Sequence, residues 1–225
     1  MPSGSNSDIK DGMEKYLRWK GKEIASLFLG LISIELAGNF LWNKLFSGIS
    51  PYLFTFYLRG VDMVFIALFL KCKGVNFRAV GLTNFREGMR GGIIASLVLG
   101  SAAFIIIFLL FKISPREFTW PLPKNLRVLL IVYPSLPPLV EEIVFRGILY
   151  EFLKERQRTW IAIVLSSLIF SLLHPYSWLF LLIPFIGGVF FCLLKDRFNS
   201  LWAPLIFHIA GNMGLLLLPS FLSKL

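Results

Sequence analysis

Residues 134–146 read PSLPPLVEEIVFR. Three prolines, two adjacent glutamates and an arginine lie between two apolar flanks, VLLIVY at 128–133 and GILYEFL at 147–153. Each ionised side chain at the centre of a membrane helix costs about 2.5–3.5 kcal/mol on insertion scales, so such residues are candidates for function. On a helix, Glu142 and Arg146 are i,i+4 neighbours that can pair. Glu141 then lies about 100° around the helix and faces something else. An ion pair that only fixes helix packing would explain Glu142 and Arg146, but it leaves the second glutamate without a partner. Pro137 and Pro138 suit the first turn of a helix. A helix restarting there would put Glu141 close to its N-terminal turn, where the dipole favours negative charge. A simple proline kink is the alternative.

The surrounding composition decides the fold class. Of 225 residues, 56% are hydrophobic and 16% charged, and the mean hydropathy is +0.72. Soluble domains have about half apolar and a quarter charged residues, so this chain is an integral membrane protein. Its net charge of +10 could point to nucleic acid. The basic residues cluster between apolar spans, however, so membrane lipid is the expected partner and nucleic acid is not. Cys72 and Cys192 form no C-x-x-C pair and read as packing residues.

A spanning helix needs about 20 mostly apolar residues. Spans are expected near 24–44, 51–71, 92–112, 126–153, 159–174, 176–194 and 200–218. The fold class is therefore all-α, a polytopic membrane protein of about seven transmembrane helices. Residues 1–23 form a polar, basic N-terminal segment, 24–218 a single transmembrane domain, and 219–225 a short tail. The first span is expected to direct insertion in place of a cleaved signal. The basic stretch 72–91 is expected to lie on the interface as a short amphipathic piece. Lys and Arg are dense in 1–23, 71–90, 154–158 and 195–197, sparse at 45–50, and absent from 174–178. That alternation implies a multi-pass protein of the cell membrane with a cytoplasmic N-terminus. One loop objects: 112–127 carries Lys112, Arg116, Lys124 and Arg127.

Other polar residues also fall within spans. The chain has two histidines. His174 closes span five and His208 lies within span seven, where Asn212 shares its helix face at i+4. Gly211 and Gly214 permit close approach beside them. Either histidine alone can be a packed, hydrogen-bonded structural residue; together with the glutamates they suggest a shared site. Glu35, Asn39, Arg59 and Asp62 in spans one and two read as structural, with Arg59 able to pair with Asp62 at i+3 and with Glu35 between helices.

At these residues the sequence resembles the CPBP family of intramembrane proteases (CAAX proteases and bacteriocin-processing enzymes, also called Abi proteins). The family pattern is E-E-x-x-x-R, then F-x-x-x-H, then H-x-x-x-N. Here EEIVFR stands at 141–146, FSLLH at 170–174 and HIAGN at 208–212, in order and on separate spans. The resemblance covers about 126–218, and VGLTNFREGMRGG at 80–92 resembles the family less specifically. It implies a hydrolase, an intramembrane endopeptidase whose site lies between spans 4, 5 and 7, acting on a membrane-associated protein or peptide. By the same resemblance Glu141 is the general base, assisted by His174. His208 and Asn212 stabilise the oxyanion, while Glu142 and Arg146 hold the site together. No cofactor is expected; the alternative is zinc on two histidines and a glutamate, as in three-ligand catalytic sites. The chain has no G-x-S-G, H-E-x-x-H or G-x-G-D of rival membrane proteases. Two other functions stay open: a non-catalytic membrane regulator or bacteriocin-immunity-type relative, and a small transporter, which would be expected to carry an internal repeat.

Overall fold

The computed structural model describes residues 19–45, 51–113, 136–174 and 178–222. Among the described residues the chain forms seven helices and no strand. These are α1 (Gly21–Leu45), α2 (Pro51–Lys73), α3 (Phe85–Ile113), α4 (136–154), α5 (Thr159–Leu172), α6 (Trp178–Phe198) and α7 (Trp202–Leu222). Stretches of α1, α2 and α3 are each long and apolar enough to cross a membrane, and α5 and α7 contain shorter apolar runs. Leu29, Leu36 and Phe40 on α1, and Leu97, Val98 and Ile105 on α3, are exposed, the outward faces expected of helices in lipid. This is an all-α polytopic membrane protein. The 1–18 segment, most of the 112–127 loop, the 126–135 lead into span four, the turn at 175–177 and the end of the tail lie outside the described residues.

Helix α4 is the centre of the bundle. Every residue from 142 to 150 is buried, and Ile143, Val144 and Ile148 share one apolar cluster with Leu27 of α1, Ile66 and Leu70 of α2, Phe170 of α5 and Phe191 of α6. The helix is not uniform. Leu136–Glu141 is α-helical, Glu142–Leu149 is a π-helix, and Tyr150–Lys154 is α-helical again. The widened register is visible at Tyr150, whose N–H donates to the carbonyl of Phe145, five residues back. Such segments are rare and occur often at functional sites. Pro137 and Pro138 sit in the first described turn, where a missing N–H removes no intrahelical bond.

The 72–91 stretch departs from the expected interfacial piece. Residues 74–84 form a folded turn, and α3 begins at Phe85, seven residues before the span read from hydropathy. The turn docks on the α6–α7 connection. Leu201 N–H donates to Gly81 O at 2.7 Å, Ser200 Oγ donates to Thr83 O at 2.5 Å, and the Thr83 hydroxyl and Asn84 amide both donate to Asn199 O at 3.2 Å. Val80 is driven into the core, 1% exposed. Gly147 makes this possible: a Cβ there would lie 2.7 Å from the Val80 carbonyl oxygen. Hydropathy missed the docking because the turn's own apolar residues, Val75, Phe77, Val80 and Leu82, have no helical or strand period.

The basic blocks converge on one end of the bundle. Lys73 of α2 pairs with Glu23 of α1 at 2.7 Å, and Arg156 Nη2 donates to Trp19 O at 2.5 Å. Lys195 of α6 pairs with Glu151 of α4, while Asp196 accepts from Tyr150 Oη and Lys154 Nζ at 2.7 Å each. Between α1 and α2, Arg59 bridges Glu35 and Asp62, the two partners expected from spacing and helix proximity. Cys72 and Cys192 are both free thiols.

The close approach at Gly147 is testable. Alanine gains up to about 1 kcal/mol of helix propensity over glycine, but its Cβ would meet a backbone oxygen that cannot rotate away, and overpacking typically costs about 1–3 kcal/mol. Gly147→Ala is expected to lower the unfolding temperature in detergent micelles, whereas Gly100→Ala, with nothing within 4 Å of its Cβ, is expected not to. Equal behaviour of the two variants would mean that the turn does not pack on α4.

Candidate active site

Four helices or their ends supply the site, and the π segment of α4 is its axis. Glu142, Ile143, Val144, Phe145 and Arg146 are fully interior. Glu142 Oε1 accepts from Arg146 Nη1 at 3.3 Å and from His208 Nδ1 of α7 at 2.8 Å. One oxygen of one carboxylate thus joins a neighbour on its own helix to a residue on the last helix. The guanidinium uses few of its donors: Arg146 Nε and Nη2 have no partner among the described residues, nor does Glu142 Oε2. Ring faces surround it instead. Arg146 Cζ lies 4.2 Å from the centroid of Phe170, 4.7 Å from Phe191 and 5.8 Å from Phe145, within the range of cation–π attraction.

Glu141 precedes the π segment and turns the other way. Its Oε2 lies 3.6 Å from His208 Nε2 and 3.9 Å from His174 Nε2. These are longer than direct hydrogen bonds. The partners of the other ring nitrogens assign the tautomers. His174 Nδ1 lies 2.8 Å from the carbonyl oxygen of Phe170, an acceptor only, so Nδ1 carries a proton, and in the neutral ring Nε2 holds the lone pair. His208 Nδ1 likewise donates to the Glu142 carboxylate. Glu141 Oε2 and His174 Nε2 are therefore two acceptors facing each other, and a group with two donor hydrogens fits between them.

Exposure is graded across the site. Side-chain exposure is 31% at His174 and 21% at Glu141, but 8% at His208 and 1% at Glu142. The site is thus open at its His174 edge, at the end of α5 furthest from Thr159. Asn212 follows His208 by one turn of α7 and is half-buried. The structure brings Glu141, Glu142, Arg146, His174 and His208 together, and Asn212 extends the same helix beyond them. Among the described residues no three His, Cys, Asp or Glu side chains close into a metal-holding cluster. Sequence reasoning missed Phe145 and Phe191 around the guanidinium. With 23 phenylalanines in the chain, no single one stands out by type.

Part of the chain is similar to known proteins. Residues 123–214 match the family described as "Type II CAAX prenyl endopeptidase Rce1-like". The matched stretch includes all three motif segments. Over that stretch the chain is similar to this family. It is also 32% identical over 85 residues to "Putative membrane peptidase YdiL" of Bacillus subtilis (strain 168), an alignment covering 38% of this chain and 34% of that protein. The chain thus spans about a third of the curated relative's length. No solved structure matches it.

Charge balance inside this core has a measurable consequence. Removing one partner of a buried ion pair leaves an uncompensated charge and costs about 3–5 kcal/mol, whereas replacing both is far less costly. Glu142→Gln is expected to lower stability by about that amount, and Glu142→Gln combined with Arg146→Met is expected to lose less than Glu142→Gln alone, read by thermal unfolding in micelles. Additive losses would mean that the two side chains are not energetically coupled.

Proposed function

We propose that this chain is an intramembrane endopeptidase that hydrolyses a peptide bond of a membrane-associated substrate with water activated by Glu141. The observation that carries this reading is the pair of facing acceptors, Glu141 Oε2 and His174 Nε2, 3.9 Å apart. A water donating one hydrogen to each would satisfy both and present its oxygen for attack. Glu141 takes the proton as the oxygen attacks the carbonyl carbon, then returns it to the leaving amine. His208, through Nε2–H when the ring carries its second proton, and the Asn212 amide donate to the developing oxyanion. Glu142 holds His208 through Nδ1, and Arg146 neutralises Glu142. No serine or cysteine nucleophile is required.

A second reading has its own support. Histidines whose outer nitrogens are held by a carbonyl and a carboxylate are the usual form of metal-bound imidazoles. Glu141, His174 and His208 are the ligand types of a three-ligand catalytic zinc. The metal-free mechanism is the one proposed, because Asn212 on the same helix then has a task as an oxyanion donor.

The substrate class is proposed from the family description: a C-terminal, prenylated Cys-aliphatic-aliphatic-X tail. Orientation is proposed from charge. Residues 19–23, 71–90, 154–158 and 195–200 meet at one end of the bundle, and the positive-inside rule assigns that end to the cytoplasm of the cell membrane. Glu141 is 13 residues from Lys154 on α4, or about 20 Å at 1.5 Å per residue. The open edge at His174 then faces away from the cytoplasm.

The mechanism is tested with purified protein in lipid vesicles and a fluorogenic peptide ending in a farnesylated tail. Glu141→Gln is expected to lower turnover about 10²–10⁴-fold, the usual contribution of a general base, without changing the unfolding temperature. Turnover is expected to survive exhaustive chelation. Wild-type rates from Glu141→Gln would remove Glu141 from the mechanism. Loss on chelation with recovery on adding zinc would establish the metal reading instead. Absence of cleavage by the unsubstituted chain would favour a non-catalytic relative of bacteriocin-immunity type.

Orientation is tested separately, in a background lacking Cys72 and Cys192. An impermeant thiol reagent applied to intact cells is expected to label a cysteine placed at Ser177 and to spare one placed at Thr159. The reverse pattern would invert the topology and open the site to the cytoplasm.

A further inference from the structure

The two groups that share Glu142 Oε1 also share one aromatic ring. Phe191 of α6 stacks on the His208 imidazole, with centroids 4.6 Å apart and planes 22° apart. The same ring lies 4.7 Å from Arg146 Cζ. Phe191 belongs to none of the three motif segments and is 6% exposed. Its own position is held by edge contacts from Phe170 at 6.1 Å and Phe207 at 5.9 Å.

The approach of α6 to this point is built into the helix. Gly188 precedes Phe191 by three residues, on the same face. A Cβ at Gly188 would lie 3.1 Å from Arg146 Nη2 and 2.9 Å from Ser167 Cβ. The bare backbone lets α6 come close enough for the Phe191 ring to reach both the guanidinium and the imidazole.

We infer that Phe191 is a positioning residue for the reaction: its ring fixes the plane of His208, so that with Nδ1 anchored on Glu142, Nε2 points at Glu141. An imidazole tethered at Cβ and hydrogen-bonded at Nδ1 can still tilt within the tolerance of that bond. Nε2 lies on the side of the ring away from Cβ, so a tilt displaces it from its place in the site. A stacked partner removes that freedom, and aromatic pairs are favourable beyond their buried area. Phe170 cannot do this alone, since it meets His208 edge-on, at 88° and 5.9 Å. The catalytic part of the inference rests on the peptidase reading; the fixing of the ring does not.

Two measurements test it, on the full chain in micelles. The first is NMR of histidine-labelled protein. With two histidines in the chain, His174→Asn assigns the resonances. In Phe191→Leu the His208 ring protons are expected to move downfield as the stacked ring current is lost, while those of His174 stay in place. Phe191→Tyr, which keeps the ring, is expected to retain the wild-type shifts. The second is kinetics on the farnesylated peptide. Phe191→Leu is expected to lower kcat about 10- to 100-fold, the scale of a misplacement near 1 Å, with KM unchanged, and Phe191→Tyr is expected to recover most of it. If Phe191→Leu does not fold, Phe191→Met keeps most of the volume without the plane and is expected to give the same two changes. Unmoved His208 resonances would overturn the inference, as would wild-type kcat alongside moved resonances. If no variant and no wild-type protein cleaves the peptide, the peptidase reading fails, and the NMR result still decides whether Phe191 holds His208.

Discussion

The polar groups of the site are arranged around one carboxylate. Glu142 is fully buried, and its Oε1 accepts from both Arg146 and His208. An unpaired charge in that surrounding would cost several kcal/mol, so the carboxylate, the guanidinium and the imidazole have to be assembled together. This constraint ties α4 to α7 across 66 residues of sequence. It also sets the orientation of His208 through Nδ1 and so leaves Nε2 available to Glu141. Two adjacent glutamates thereby acquire different surroundings, one sealed and paired, the other at the open edge.

The π segment is where this arrangement meets the backbone. The described register changes between those two glutamates. The segment is buried on all sides, so its weaker hydrogen-bond geometry is supported by packing from α2, α5 and α6. The aromatic enclosure of Arg146 follows the same logic. Where donors have no acceptor, ring faces supply a partial substitute, and unused Nε and Nη2 atoms are tolerated.

Away from the site, several charges are matched across helices. Arg59 answers Glu35 and Asp62 between α1 and α2. At the basic end, Lys73, Lys154, Arg156 and Lys195 each have a named partner. The docked turn at 74–84 belongs to that end as well. By seating Val80 on Gly147 and binding Asn199–Leu201, it braces the π segment and the start of α7 against each other, on the far side of the site from His174.

The sequence by itself determined the membrane character, the all-α class and the polar residues worth attention. Hydropathy is a sum over composition, and helix spacing specifies neighbours on one helix, which is why the Glu142–Arg146 pair was legible. So was the ordered set of motif residues, each visible as an expensive group in an apolar span. The start of α3 and the docked turn were not legible, because their order comes from hydrogen bonds to residues more than a hundred positions away. Nor was the π register, since backbone pairing leaves no mark in side-chain periodicity. Only the tertiary structure decided that His208 bonds Glu142 and merely faces Glu141, that His174 turns Nε2 inward, and that Phe191 among so many phenylalanines is the ring that stacks on His208. Those facts depend on how separate helices pack, and packing is fixed by the shape of the whole interior and not by any local run of residues.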